Sequence, residues 1–118
     1  MGLDMMLVRK TDDETYEEVG YWRKANAIHG WFVRNVQNNV DDCGDYTVTK
    51  DQLRNLLMAC ELVLHDPVMA STYLPTTSGF FFGNTNYDQW YLNDLELTIK
   101  IIKPLIEDEH EYYYSSSW

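Results

Sequence analysis

The segment between Thr49 and Pro67 places the strongest constraint on the fold, because its apolar residues recur at helical spacing on one side only. Thr49 is a good N-cap for a helix over 50–65, and Pro67 closes that helix. The side chains on the apolar side are Leu53, Leu56, Leu57, Cys60, Val63 and Leu64. A helix with one apolar side must bury it against another element, so the sequence predicts a layered domain.

The other elements are predicted from periodicity and from residues that favour the ends of helices and strands. In chain order they are a strand over 3–9, a helix over 15–38, a short strand over 78–83, a helix over 87–103 and a last strand over 111–118 that pairs with the first. Thr15 and Glu18 have the spacing of a capping box, and Gly30 would allow close approach of another element or of a ligand. The predicted fold is α+β, with about three helices packed on a small, mostly antiparallel sheet in a single domain over 1–118.

The composition is that of a folded protein that does not coat nucleic acid. Hydrophobic residues make up 45% and aromatic residues 14% of the 118 residues, which is enough for a core. The net charge of −10 argues against non-specific binding to duplex nucleic acid or to anionic membranes, since Lys and Arg provide that affinity. Two cysteines, no apolar run of membrane-spanning length and a start without the basic region of a signal peptide predict a soluble cytoplasmic protein.

The charge is distributed unevenly along the chain. Residues 1–18 contain two basic and six acidic residues, residues 41–118 contain four and thirteen, and residues 19–40 contain three and none. A helix over 15–38 would place on one face Arg23, Asn26, Gly30, Arg34 and Gln37, and on another side Lys24, Trp31 and Asn35. The sequence therefore predicts a cationic, polar surface on an otherwise acidic protein.

Two interpretations of this surface stay open. Arg23 and Arg34 could form surface ion pairs with acids elsewhere, which are common and contribute little stability. Alternatively they form an anion site, where guanidinium groups bind phosphate or carboxylate and aromatic rings stack on a base. The aromatic residues exceed what one small core needs, which favours a surface for a ligand or partner. The candidate ligand-binding residues are Arg23, Lys24, Asn26, Trp31, Arg34, Phe81 and Tyr113.

The sequence contains no recognisable set of catalytic residues. His29 lies on the apolar side of the predicted helix, which favours a hydrogen-bonded core histidine over a catalytic one. Cys43 follows two aspartates, an acidic setting that suppresses thiolate reactivity. Asp41, Asp42 and Asp45 could bind a hard cation but lack the rest of a calcium-binding loop. We expect a protein that is not an enzyme and that has no metal site and no cofactor.

Five stretches of the chain form a specific pattern that extends from residue 2 to residue 118. They are GLDM at 2–5, VGYWRKANAIHGWF at 19–32, VDDCG at 40–44, LPTTSGFFFG at 74–83 and SSW at 116–118. In them the chain resembles a family of small uncharacterised proteins from bacteriophage and bacterial genomes. Some members carry the label phosphoglycerate kinase, but a two-domain nucleotide kinase cannot be built in 118 residues. The resemblance implies a phage context, in which small proteins often antagonise host defence.

Two functions fit that context. In the first, the protein sequesters a small anionic molecule, a nucleotide immune signal, without catalysis, in a pocket between the subunits of a homo-oligomer. In the second, its acidic surface imitates nucleic acid and blocks a basic groove of a host defence protein such as a CRISPR nuclease. The acid-free segment favours capture, and the net charge favours mimicry. We expect capture, with hydrolysis of the signal as a third possibility.

Overall fold

The first two strands form an antiparallel hairpin whose tip is the acidic segment. The computed structural model describes residues 2–79 and 83–118. β1 is Asp4–Asp12 and β2 is Thr15–Arg23. At the tip, the Glu14 N–H donates to Asp12 Oδ1 (3.0 Å). An Asp side chain that accepts from the N–H two residues on favours a tight turn, so this segment reverses the chain instead of starting a helix.

The predicted helix over 15–38 is therefore wrong in its first half. Residues 15–23 form β2, and α1 covers only Asn26–Asn35. In β2, buried Gly20 and Trp22 flank exposed Tyr21, which is the period of two that a strand requires. The apolar residues of this segment also fit a helical stripe, and pairing with β1 decides between the two patterns.

In the described residues, four strands form one antiparallel sheet in the order β2-β1-β4-β3. β3 is Tyr46–Val48 and β4 is Glu111–Ser117. The whole of β4 pairs with β1, from Ser117 opposite Asp4 to Glu111 opposite Lys10. This confirms the predicted pairing of the first and last segments.

The remaining helical elements follow local sequence signals. They are α2 (Lys50–His65), a 3₁₀ turn at Pro67–Met69, α3 (Ala70–Tyr73), α4 (Gln89–Ile102) and a 3₁₀ turn at Lys103–Leu105. At the start of α2, Thr49 Oγ1 accepts from the Gln52 N–H (3.1 Å) and Gln52 Oε1 accepts from the Thr49 N–H (2.8 Å). These reciprocal bonds satisfy two N–H groups that the helix leaves unpaired. The predicted helices over 50–65 and 87–103 are confirmed.

The predicted strand over 78–83 is not found at the positions that can be examined. Ser78, Gly79 and Gly83 belong to no strand, and Phe80, Phe81 and Phe82 lie outside the described residues. The fold is nonetheless α+β, as predicted, because the helices pack on an antiparallel sheet. Within the described ranges, no helix has the length and apolar character needed to cross a membrane.

The core lies between the helices and one face of the sheet. Phe32 of α1 stacks on Tyr114 of β4, with ring centroids 3.8 Å apart. Gly20 lets α4 approach β2 closely, because a Cβ at this position would lie 2.6 Å from Cγ2 of Ile101. As a result, α4 runs beside β2 and its first turns lie next to the β2–α1 junction.

Candidate functional site

A cavity lies where the β2–α1 junction and the start of α4 meet the two limbs of a loop, residues 74–79 and 83–88. Its volume is about 310 Å³, which is at the lower end of the range for small-molecule sites. Among the residues that line it are Arg23, Lys24 and Asn26 from the junction, Asn84 from the loop, and Trp90 and Asp94 from α4. Three separate parts of the chain therefore contribute polar or aromatic groups to one concave surface.

Asn26, the first residue of α1, holds the loop in place. Its Nδ2 donates to the carbonyl oxygen of Asn84 (2.8 Å), and its Oδ1 accepts from the Thr77 N–H (3.0 Å). Within the loop, Thr76 Oγ1 donates to the carbonyl oxygen of Thr85 (2.9 Å). The buried Asn26 amide is thus a positioning group that joins both limbs of the loop to α1.

Two residues with positive φ bring the loop against the junction. Lys24 has a φ of 55° and Gly83 has a φ of 84°. A Cβ on Gly83 would lie 3.4 Å from the Cβ of Lys24, so Gly83 packs against Lys24. Lys24 is held in this conformation in part by its N–H, which donates to the carbonyl oxygen of Leu3 (2.7 Å). The resulting turn places Arg23 and Lys24 side by side in the cavity wall.

Neither cation of this wall forms an ion pair with an acid in the described part of the chain. The ion pairs that do form there involve other cations, for example Arg9 with Glu17 and Asp108, at 2.7 and 2.5 Å. Arg34 likewise forms no ion pair with any described residue. The surface ion pairs that the sequence left open for Arg23 and Arg34 are therefore not formed among these residues.

Two aspartates, Asp88 and Asp94, make the α4 side of the cavity acidic. Asp88 caps the helix, since its Oδ1 accepts from the Tyr91 N–H (3.2 Å). Burial, with a smaller contribution from Asp88, raises the pKa of Asp94 to about 6. Within residues 2–79 and 83–118, no group donates a hydrogen bond to the Asp94 carboxylate. A partly buried carboxylate without donors in a cavity wall is typical of a functional site.

Trp90 supplies an aromatic surface one helical turn before Asp94. Residues four positions apart lie on the same face of a helix, and both side chains line the cavity. The Trp90 side chain is 74% exposed, although tryptophan is on average highly buried in folded proteins. Its ring therefore offers a flat apolar surface on which a planar ligand can stack.

The cavity combines two adjacent cations, a stacking surface and a carboxylate. Such a set suits a ligand with an anionic group at one end and a planar, hydrogen-bonding group at the other. Comparisons with protein families, curated proteins and solved structures find no match. The cavity itself is therefore the basis for inferring function.

Three of the predicted ligand-binding residues meet in this cavity, namely Arg23, Lys24 and Asn26. They meet because β2 ends beside the start of α1. The predicted common helix face is wrong, since Arg23 ends β2 and Gln37 is buried beyond the end of α1. The structure thus brings these three residues together, but at the junction of β2 and α1 instead of on one face of a helix.

The other predicted ligand-binding residues lie elsewhere. Trp31 is only 5% exposed and belongs to the hydrophobic core. Arg34 is not in the cavity wall, and its Nη1 would lie 3.1 Å from a Cβ on Gly30. Tyr113 belongs to the face of β4 opposite the buried residues of that strand. Phe81 lies outside the described residues.

Sequence reasoning missed Trp90 and Asp94. Both lie outside the apolar stripe of α4, where periodicity carries no information about function. The available signal was their spacing, because a large aromatic residue and an acid at i and i+4 share a helix face. Only the packing of α4 beside β2 shows that this face meets the cationic junction.

His29 lies in the core, where its ring bridges two other side chains. Its Nε2 lies 3.0 Å from Asp41 Oδ1, and its Nδ1 lies 2.6 Å from the Tyr114 hydroxyl. Burial lowers the pKa of His29 despite the opposing effect of Asp41, which favours the neutral ring. Asp42, from the same acidic loop, accepts from the Tyr46 hydroxyl (2.7 Å). In the described part of the chain, no three His, Cys, Asp or Glu side chains are grouped so that they could hold a metal ion.

Proposed function

We propose that this protein binds a small anionic ligand, a nucleotide, in the cavity and holds it without chemical change. The observation that carries the proposal is the adjacent pair Arg23 and Lys24 in the cavity wall, with no acid paired to either among the described residues. Cations of this kind bind phosphate through charge-assisted hydrogen bonds. The exposed ring of Trp90 supports the choice of a nucleotide, because a base can stack on it.

The setting of this function is proposed from the resemblance to phage proteins. A phage protein that captures a nucleotide immune signal in the host cytosol would antagonise host defence by lowering the free concentration of the signal. Capture requires binding groups but no nucleophile or general base. The cavity lies within one chain, so capture does not depend on a homo-oligomer, which stays a separate prediction.

Thermal unfolding with a panel of mononucleotides and cyclic nucleotides tests this function. At a ligand concentration a hundredfold above Kd, binding stabilises the folded state by about 2.7 kcal/mol, which raises the melting temperature measurably. We expect Arg23→Ala to abolish the increase. Arg54→Ala, which removes the same charge from the exposed face of α2, should retain it. No increase with any nucleotide would contradict capture, and a chemically altered nucleotide after heat release would indicate a hydrolase.

A second candidate function, mimicry of nucleic acid, is favoured by the acidic end of the sheet away from the cavity. Residues 107–109 lie near the hairpin, because Arg9 of β1 binds Asp108. Nearby, Glu111 of β4 lies opposite Lys10 in the sheet. The exposed carboxylates of this end could steer the protein to a basic groove of a host defence protein such as a CRISPR nuclease.

Mimicry makes different predictions from capture. A complex with a basic host protein should weaken as the salt concentration rises, since salt screens exposed charges. Glu107→Lys combined with Glu109→Lys should weaken that complex, and Arg23→Ala should leave it unchanged. A complex that is insensitive to both salt and charge reversal would exclude this mode of binding.

A further inference from the structure

Trp90 and Asp94 form the side of the cavity that can select among ligands. They lie one helical turn apart on the same face of α4 and both line the cavity, so we expect a ring stacked on Trp90 to direct an edge towards the Asp94 carboxylate. Arg23 and Lys24 belong to a different wall, at the β2–α1 junction. A nucleotide in this cavity would therefore have its base near α4 and its phosphate near the junction.

Several other polar groups of the cavity are already engaged. Asp88 caps α4, the Asn26 amide joins the two limbs of the loop, and the Thr76 hydroxyl donates within that loop. In contrast, the Asp94 carboxylate accepts no hydrogen bond from the described part of the chain, and burial raises its pKa to about 6. Near neutral pH it is thus ionised without donors to stabilise its charge. A ligand that brings donors would supply what the chain does not.

We propose that the cavity selects a guanine nucleotide, with the base stacked on Trp90 and its N1–H and N2–H donating to the two oxygens of Asp94. In this arrangement Asp94 is the specificity-determining residue and Arg23 and Lys24 bind the phosphate. The inference rests on the proposed function, because it names the ligand of the same cavity.

The choice of guanine follows from hydrogen-bonding chemistry. An ionised carboxylate only accepts, and it offers two oxygens side by side. Guanine presents two adjacent donors on one edge, so it can form a bidentate pair with that group. Adenine and cytosine each present an acceptor next to the amino group, which an ionised carboxylate repels. Uracil presents a single donor between two carbonyl oxygens.

Isothermal titration calorimetry at about pH 7.5, where Asp94 is ionised, tests the inference with GMP, IMP and AMP. IMP lacks only the 2-amino group of GMP, so it isolates one of the two hydrogen bonds. We expect the wild type to bind GMP roughly ten- to a hundredfold more tightly than AMP, with IMP between them. Asp94→Asn should remove this preference and leave the affinity for AMP nearly unchanged. Glu96→Gln is the matched control, since Glu96 is an exposed acid of the same helix outside the cavity wall.

Each outcome bears on a distinct part of the inference. Loss of the guanine preference in Asp94→Asn, with its retention in Glu96→Gln, is the expected result. Equal affinity of the wild type for GMP and AMP, or a preference that survives Asp94→Asn, would overturn the inference and leave capture intact. Failure of all three nucleotides to bind would overturn the inference, and capture would be overturned as well only if no mononucleotide or cyclic nucleotide of the wider panel raised the melting temperature. Trp90→Ala should weaken GMP and AMP by a similar factor, because stacking is common to both bases, and a loss confined to GMP would contradict the role of Trp90.

Discussion

The Asn26 side chain donates to the carbonyl oxygen of Asn84 over 2.8 Å, although the two residues are 58 positions apart. The same amide accepts from the Thr77 N–H, so one side chain at the start of α1 binds both limbs of the loop. Asn26 is buried, and a backbone group that loses its partner in such a place destabilises the folded state. The shape of the cavity therefore depends on Asn26, whose side-chain amide is hydrogen-bonded to the loop.

Replacing Asn26 should affect both stability and binding. Asn26→Ala removes the bonds to Asn84 and Thr77, and we expect the free energy of unfolding to fall by about 1–3 kcal/mol. Nucleotide affinity should fall as well, because the loop wall is no longer held. Urea unfolding and calorimetric titration measure the two effects. Asn93→Ala, which removes an exposed amide of α4, should change stability by less than about 0.5 kcal/mol, and an equal loss in both variants would contradict this account.

The partly buried charge of Asp94 should destabilise the folded protein near neutral pH. Burial raises its pKa to about 6, so between the ordinary value of 3.8 and about 6 the folded state binds more protons than the unfolded state. The stabilising contribution of this group is thus present at low pH and is lost as the pH rises through about 6. The charged groups that face the same cavity are Asp88, Arg23 and Lys24, and Asp88 acts in the same direction as burial.

Asp94→Asn should consequently stabilise the protein at about pH 7.5, by about 1 kcal/mol after allowance for partial exposure and solvent screening. The gain should shrink near pH 4, where Asp94 itself is protonated. Urea unfolding at the two pH values measures the difference. Glu96→Gln should leave stability nearly unchanged at both. A destabilised Asp94→Asn at the higher pH would show that its carboxylate has stabilising partners in the folded protein.

The parts of the fold that the sequence predicts correctly are those that local signals determine. The reciprocal cap between Thr49 and Gln52 and the one-sided apolar pattern are both present within α2 itself. β2 has no such local signal, since its residues fit a helical stripe and a strand alternation equally well. Its structure is set by the turn at Asp12 and by pairing with β1, which are contacts between segments.

The candidate site likewise has one part that the sequence predicts and another that only the packing of the helices shows. Counting charges identified Arg23 and Lys24, because an acid-free segment is visible in the sequence alone. Trp90 and Asp94 become part of the site only because α4 packs beside β2, an approach that Gly20 permits. No local property of α4 specifies which neighbour its exposed face will meet.

The contact between His29 and Tyr114 should contribute to stability from inside the core. The Asp41 carboxylate can only accept, so Nε2 carries the proton and Nδ1 accepts from the Tyr114 hydroxyl. Tyr114→Phe removes this donor, and we expect a loss of about 1–3 kcal/mol in the free energy of unfolding. Tyr113→Phe is the control on the same strand, where the hydroxyl donates to exposed Glu111, and its effect should be within about 0.5 kcal/mol.

The same contact predicts a dependence on pH. Burial lowers the pKa of His29, so the folded state binds fewer protons than the unfolded state just below the ordinary value of 6.5. The stabilising contribution of neutral His29 is present above about pH 6.5. It is lost as the pH falls through the lower pKa that His29 has in the folded protein. Among the groups that face His29 are Asp41, which opposes the shift of the pKa, and Tyr114. Asp94 has the opposite effect, since its raised pKa stabilises the folded state as the pH falls. The free energy of unfolding should therefore decrease more steeply with falling pH in Asp94→Asn than in the wild type. An unchanged slope would contradict the raised pKa of Asp94.

Gly30 in α1 should resist a substitution that ordinarily stabilises helices. In a helix interior, Gly→Ala usually adds roughly 0.5–1 kcal/mol of stability. Here a Cβ would lie 2.3 Å from Thr77 Oγ1, so the Thr77 side chain, in the loop that Asn26 holds, must move. Of the two possibilities that the sequence left open for Gly30, the structure thus shows close approach of another element. We expect Gly30→Ala to lower the free energy of unfolding by about 1–3 kcal/mol.

A double-mutant cycle with Thr77→Ala separates this clash from any other effect of the substitution. Removing the Thr77 hydroxyl leaves its Cβ 3.5 Å from the new methyl group, which is an ordinary contact. Gly30→Ala should therefore be strongly destabilising in the wild type but neutral or stabilising in the Thr77→Ala background, where the intrinsic helix preference of alanine is free to act. Urea unfolding of the four proteins gives a coupling free energy, expected to exceed about 1 kcal/mol. Equal destabilisation in both backgrounds would place the clash elsewhere, with the Arg34 guanidinium, whose Nη1 lies 3.1 Å from the same position, as the group to replace next.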